Sequence, residues 1–388
     1  MIGSKTVSRT GRVAVRLTVL AVLLFPACSL HAQTGGEAAS RERAARILDR
    51  AITASGGWEA IARTKTFSER AMVVRTRHGQ EVRPGDAPPP GRPVLYKITA
   101  DSDLRTLVAD GFLADTARVP VQRVVLSSGE WRLMNLVQKT LIDLPDPTLM
   151  EDLHAVATFV PGVLRAAREG SRILRYVDAR GDGEEAITVA EADGTQRTLV
   201  FSAESGHLLR MERLEEHPLF GDLTLTVAFA DYRPVGDLVV PYRITTELPG
   251  VFRAAATCTE VMPGAPIDPA TLVVPEGVRP DPRVSTSGRH SIEPFPGIHH
   301  LINVVPGYNM LWVEQDDGVW VIEAPGGLET STEVLEDVAA RAPGKPVRGF
   351  VLTHFHYDHS AGLWTYIERG IPVYTTPGDR GFVEGVAA

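Results

Sequence analysis

The chain has 388 residues, 44% of them hydrophobic and 23% charged, and a formal net charge of −8 at pH 7. That is long enough for two domains with sizeable cores, and the composition is that of a soluble globular protein. The acidic balance argues against a nucleic-acid partner, which needs a basic face.

Residues 1–32 read as a secretory signal. Lys5, Arg9, Arg12 and Arg16 form a basic start without a single acid, "LTVLAVLLFPAC" supplies the apolar stretch, and Ala32 in "SLHAQ" is the expected cleavage point. About a dozen apolar residues are too few to span a bilayer comfortably, so export is favoured over an uncleaved anchor. A lipoprotein anchored at Cys28 is the weaker alternative, because Pro26 fits that pattern poorly. Removing the segment takes the net charge from −8 to −12 and leaves Cys258 alone, so no intramolecular disulfide can form. Cys258 lies in the apolar run "AAATCTEV" and reads as a buried structural thiol rather than a nucleophile.

The spacing of Ala44, Ile47, Leu48, Ala51 and Ile52 predicts a helix that Gly56-Gly57 stops, with a short piece around Trp58–Ile61 behind it. From about 66 to 262 the text reads as strand after strand, punctuated by turn pairs such as Asp193-Gly194, Ser205-Gly206 and Gly236-Asp237. "PTLMEDLHAVATFVPGVLRAAREG" is a helical interruption and "RPGDAPPPGRP" (83–93) a surface loop. The opening helix ending in "GG", the run of strands, "FSAESGHLLRME" and "FADYRPVGDLVVPYRI" together resemble the periplasmic lipoprotein-carrier proteins. The resemblance implies a β-rich, half-open barrel of antiparallel strands over 33–275. Its role is either a scaffold or an apolar cavity for a lipid or acyl chain, with the scaffold favoured.

"PEGVRPDPRVSTSGRHSIEPFPG" is rich in Pro, Gly and Ser, which makes 276–297 the expected linker. The second domain, 298–388, opens with strands "IHHLINV" and "YNMLWVEQ", the latter turned by "DDG" into "VWVIEA". In "TSTEVLEDVAARAPG", Thr330 is the expected helix cap with Glu333 at capping-box spacing. "VRGFVLT" is a buried strand; "AGLWTYIERG", "IPVYTT" and "GDRGFVEGV" follow as helix, strand and helix, an α/β order.

Where that buried strand ends, "VLTHFHYDHSAG" places His354, His356, Asp358 and His359 within six positions. Strand ends are a usual place for ligand sites in α/β sheets. In extended backbone His354 and His356 face the same way, while Asp358 and His359 follow in the turn and converge from another angle. Ser360 is a candidate cap for the next helix, and Gly362 allows tight backbone. Neutral imidazoles and a carboxylate suit Zn²⁺, with Fe or Mn less favoured. His299 and His300 lie on the opening strand, where at most one faces inward; structural histidines are the default reading.

"THFHYDHSAG" together with "WVIEAPGG" ahead of it resembles the metallo-β-lactamase superfamily. The resemblance implies an αββα sandwich binding one or two zinc ions in a complete domain. His354 and His356 would hold the first ion, Asp358 and His359 the second. Asp358 would also serve catalysis by orienting or deprotonating the attacking water, which as metal-bound hydroxide adds to an ester, thioester or amide-type small-molecule substrate. Glu323 stands where the family usually has an aspartate. The family's remaining ligands come later, and no His or Cys follows His359. The expectation is therefore an incomplete domain that binds metal weakly as given. The alternative is a periplasmic carrier module with a vestigial hydrolase segment.

Overall fold

The computed structural model describes residues 28–89, 91–112, 119–144, 151–170, 172–178, 181–191, 194–281, 289–305 and 307–387. Most of the expected signal segment lies outside them. No helix among the described residues is long and apolar enough to cross a membrane.

Helix α1 (Cys28–Ala54) buries the stripe the sequence marks: Ala44, Ile47, Leu48, Ala51 and Ile52 are at most 3% exposed. It stops where Gly56 and Gly57 turn the backbone to positive φ. A Cβ on Gly56 would also lie 2.1 Å from the Asp237 carbonyl oxygen, so a strand turn packs directly on the helix end. The short helix α2 (Trp58–Arg63) follows.

The strands then form a meander. One run is β1 (Thr66–Arg77), β2 (Val94–Asp101), β3 (Leu107–Phe112), β4 (Gln122–Ser127), β5 (Glu130–Asn135) and β6 (Thr140–Leu144). After helices α3 (Glu151–Val156) and α4 (Val160–Glu169), a second run comprises β7 (Arg172–Val177), β8 (Glu184–Ala190), β9 (Gln196–Ser202), β10 (Leu208–His217), β11 (Gly221–Val235), β12 (Leu238–Leu248) and β13 (Phe252–Pro263). Pairing of β1 with β13, from Phe67↔Pro263 to Arg77↔Phe252, joins the runs. The short β14 (Arg279–Pro280) adds in parallel beside β6. The result is one 14-stranded sheet with β14 and β7 at its two ends; it does not close. This is the half-open, antiparallel β-rich architecture expected.

Inward residues alternate along β1: Phe67, Ala71 and Val73 are buried, and so is Glu69. Cys258 on β13 sits behind them, its thiol 3.8 Å from the Glu69 carboxylate. The four helices and the inward residues of the neighbouring strands supply the rest of this core. The helical interruption is two helices rather than one, broken before Pro161, which cannot donate a helical hydrogen bond.

A second sheet runs β15 (His290–Phe295), β16 (Ile298–Val305), β17 (Tyr308–Gln315), β18 (Gly318–Ile322), β19 (Val347–Val351) and β20 (Val373–Tyr374), in that order. The first four pair antiparallel and the last two join in parallel. Helices α5 (Gly327–Arg341), α6 (Tyr357–Ser360), α7 (Leu363–Glu368) and α8 (Arg380–Ala387) complete this α/β region. Trp312, Phe350, Tyr366, Val334 and Leu363 are fully buried in its core. Each such large side chain contributes roughly 2–3 kcal/mol by leaving water. Leu219, from the β10–β11 hairpin of the first region, packs into this second core.

Three local expectations change. Helix α5 starts at Gly327 behind a left-handed Gly326, so Thr330 is inside the first turn and its hydroxyl donates to the Gly326 carbonyl instead of capping. Ser360 lies within α6 and donates to the Phe355 carbonyl; it caps nothing. Asp379, which reads from sequence as a surface position, is buried and accepts from the Thr376 hydroxyl just ahead of α8.

Candidate metal centre

The first motif histidine, His354, lies three residues beyond the end of β19 at Val351. Phe355 is buried while His354 and His356 on either side of it stay partly exposed, the alternation expected of extended backbone. Asp358 and His359 ride on α6, which starts at Tyr357. Two backbone hydrogen bonds sew this turn to the end of β18: Ala324 N–H donates to the His359 carbonyl at 2.9 Å, and Gly362 N–H donates to the Ala324 carbonyl at 2.8 Å. Gly362 is required by close approach, since a Cβ there would fall 1.9 Å from Ser331 Oγ and 2.6 Å from the Gly327 carbonyl oxygen.

The three imidazoles converge. The His354 ring centroid is 4.5 Å from that of His356 and 4.1 Å from that of His359. Glu323 turns out to be part of the cluster. Its Oε2 accepts from His359 Nδ1 at 2.6 Å and its Oε1 from the Thr353 backbone N–H at 3.0 Å. With Nδ1 donating to a carboxylate, His359 keeps its lone pair on Nε2, which lies 3.8 Å from Asp358 Oδ2. Glu323 adopts φ +71°. A left-handed non-glycine costs on the order of 1–3 kcal/mol and persists only where its surroundings hold it, here by two hydrogen bonds.

Asp358 is held on both oxygens, by Gln80 Nε2 on Oδ1 at 2.9 Å and by the Tyr308 hydroxyl on Oδ2 at 3.3 Å. Burial alone would raise its pKa. The Gln80 hydrogen bond, the neighbouring His359 and Tyr308 outweigh that and hold it below the usual aspartate range. The His354 pKa is lowered, first by burial and then by the adjacent His359 and His356, which favours the neutral imidazole a metal needs.

The donor set fits a divalent cation. Glu323, His354 and His359 each place one ligand atom within 4.8 Å of the others, and Asp358 Oδ2 stands beside His359 Nε2. Of the four motif residues chosen from sequence, His354 and His359 belong to this group, the His356 ring lies 4.5 Å from that of His354, and Asp358 stands next to His359. Sequence reasoning noted Glu323 without giving it a role, although its place at the end of β18 was a usable signal. It missed Gln80, Tyr308 and the Glu81 carbonyl, which accepts from His356 Nε2 at 2.9 Å. Gln80 and Glu81 are separated from the motif by more than 270 positions, and no local pattern marks them. His299 faces inward and stacks on Trp312 at 3.5 Å, with Glu314 as its nearest acid.

A concavity lies in the first region. A cleft of about 550 Å³ opens between α4 and the sheet, with Phe159, Val163, Leu199, Met211 and Val227 in its lining and Arg105, Arg197 and Arg213 among its charged residues.

Residues 305–382 match the family model of the metallo-beta-lactamase superfamily. Among solved structures, the mono-zinc form of the metallo-beta-lactamase FIM-1 from Pseudomonas aeruginosa is similar at 20% identity, covering 25% of this chain and 45% of that one, with a TM-score of 0.22. A metallo-beta-lactamase from Hirschia baltica is similar at 21% identity, over 25% of this chain and 48% of its own, also at 0.22. The chain thus spans just under half the length of these proteins. A LolA superfamily protein from Nitrosomonas europaea is similar at 13% identity, over 59% of this chain and 96% of its own, with a TM-score of 0.38. No curated protein matches the chain.

Proposed function

We propose that the chain, whose residues 305–382 match the family model of the metallo-beta-lactamase superfamily, is an exported, zinc-dependent hydrolase acting on a small ester, thioester or amide-type substrate. The observation that carries this reading is the grouping of Glu323, His354 and His359, whose ligand atoms lie within 4.8 Å of one another at one strand end, with the His356 ring and the Asp358 carboxylate beside them. A divalent ion held by His354, His356, Asp358 and His359 would supply Lewis-acid chemistry, which lowers the pKa of water from about 16 towards ~7. The chain's own residues prepare that chemistry. Glu323 fixes the His359 ring so that Nε2 faces outward. Asp358, kept ionised and held on both oxygens, can orient a water or accept its proton. Export rests on the N-terminal reading of 1–32.

The test is a panel of β-lactam, lactone, thioester and phosphoester substrates, assayed with zinc and after chelation. The reading expects at least one metal-dependent hydrolysis that Asp358→Asn lowers by about 100-fold or more. No turnover by the zinc-loaded chain, or turnover indifferent to chelator and to Asp358→Asn, contradicts it.

The cleft beside α4 favours a second reading, in which the first region carries an apolar ligand. Its size falls within the range of small-molecule sites, and Phe159, Leu199, Met211 and Val227 give part of its lining an apolar character beside the charged residues. Lipid co-purifying with the protein, displaced by charged substitutions at Met211 and Val227, is the outcome that reading expects.

A further inference from the structure

The motif's neighbours come from both regions. Immediately after β1, the turn His78-Gly79-Gln80-Glu81 leaves the first sheet and meets residues 356–358 with three successive groups. The Gly79 carbonyl accepts from the Tyr357 backbone N–H at 3.3 Å. Gln80 Nε2 donates to Asp358 Oδ1 at 2.9 Å, and the Glu81 carbonyl pairs with His356 Nε2 at 2.9 Å. A carbonyl only accepts, so His356 carries its proton on Nε2 and its lone pair on Nδ1. That is the arrangement in which a backbone carbonyl sets the tautomer and ring orientation of a metal-ligating histidine.

The turn is itself built. His78 N–H donates to the Val251 carbonyl at 2.8 Å, tying it to the β12–β13 connection. The Glu81 side chain is buried beside His78 Nδ1 at 3.5 Å. Gly79 takes φ +71°, a left-handed conformation that suits glycine and aims the Gly79 and Glu81 carbonyls at the motif. A few ångströms away, His217 on the β10–β11 hairpin packs against the Tyr357 ring, with centroids 5.2 Å apart. Tyr357 therefore meets the first region at two points.

We propose that the metal centre is composite: the turn 78–81 of the β-rich region is its positioning element, with the Glu81 carbonyl presenting His356 through Nδ1 and the Gln80 amide aligning Asp358. This rests on the metal-site reading above and extends it, since the first region then becomes part of the centre rather than a separate module. Gln80 is a positioning residue. Its side chain is exposed, so truncation leaves the cores untouched.

The experiment uses the full chain and three readouts. Zinc affinity is measured by chelator competition for wild type, Gln80→Ala and Gln80→Asn. The absorption spectrum of the cobalt-loaded proteins reports coordination geometry, and ¹⁵N NMR of the histidine rings in the metal-free protein reports tautomers. The proposal expects a 10–100-fold loss of zinc affinity and an altered cobalt spectrum in Gln80→Ala, at an unchanged metal-free melting temperature. Gln80→Asn recovers part of both. His356 shows the Nε2–H form in wild type, and Gly79→Val, which disfavours the turn, gives a tautomer mixture. Wild-type zinc binding with an unaltered Gln80→Ala, or an Nδ1–H form at His356, overturns the composite centre and leaves the metal site standing. Failure of wild type to bind zinc or cobalt overturns both.

Discussion

Glu323 illustrates how much one side chain does at this site. Its carboxylate accepts two donors at once, the His359 ring and the Thr353 backbone N–H, from a left-handed backbone. A glutamine has one accepting oxygen and one donating amide, so Glu323→Gln leaves one of those donors facing another donor. Zinc affinity is expected to fall by about 10–100-fold, read by chelator competition. Unchanged affinity would show that His359 is oriented without it. The four motif residues were legible because packing alone does not gather three histidines and an aspartate within six positions at a strand end. Gln80 and Glu81 were not legible. Their role exists only once β1 has paired with β13 and the chain has folded back on itself, and a glutamine in a glycine turn carries no metal signal of its own.

Among the elements, those with a strong local period were legible, and where some of the helices start was not. The α1 stripe and the β17–β18 hairpin follow directly from apolar spacing and "DDG". The start of α5 did not, because Gly326 and Gly327 act through backbone conformation and outcompete the capping-box spacing at Thr330. Two predictions belong here. Gly362→Ala forces a Cβ into Ser331 Oγ and the Gly327 carbonyl, and an overpacked contact of this kind costs about 1–3 kcal/mol, seen as a lower melting temperature. On β1, burial lifts the Glu69 pKa from 4.5 to about 8, with the Cys258 thiol hydrogen bond opposing it only in part. A raised folded-state pKa gives stability that is complete below 4.5 and is lost as pH rises through about 8. The loss across that window is on the order of 1 kcal/mol per pH unit. Glu69→Gln should flatten the dependence relative to wild type in denaturant unfolding at pH 5, 6.5 and 8. An identical slope in the two proteins would contradict the buried, protonated carboxyl.

At the scale of the whole molecule, the two sheets are joined by more than the chain between them. Leu219 inserts into the second core, and the 78–81 turn reaches the metal motif. The stretch 276–297 that reads as a linker contributes strands to both sheets, β14 (Arg279–Pro280) to the first and β15 (His290–Phe295) to the second. The contacts between the parts were not legible, because each involves a hairpin tip or turn whose local sequence serves its own region equally well. Leu219→Ala is expected to cost about 2 kcal/mol or more, and to lower the stability of the second region selectively under limited proteolysis. The proposed chemistry depends on the motif holding an ion. The most direct measurement is equilibrium dialysis of the purified chain against zinc, followed by elemental analysis, beside a His354→Ala/His359→Ala variant of matched secondary structure. The account predicts at least one equivalent of zinc retained by the wild-type chain and none by the variant. Equal zinc in both, or none in either, would contradict it.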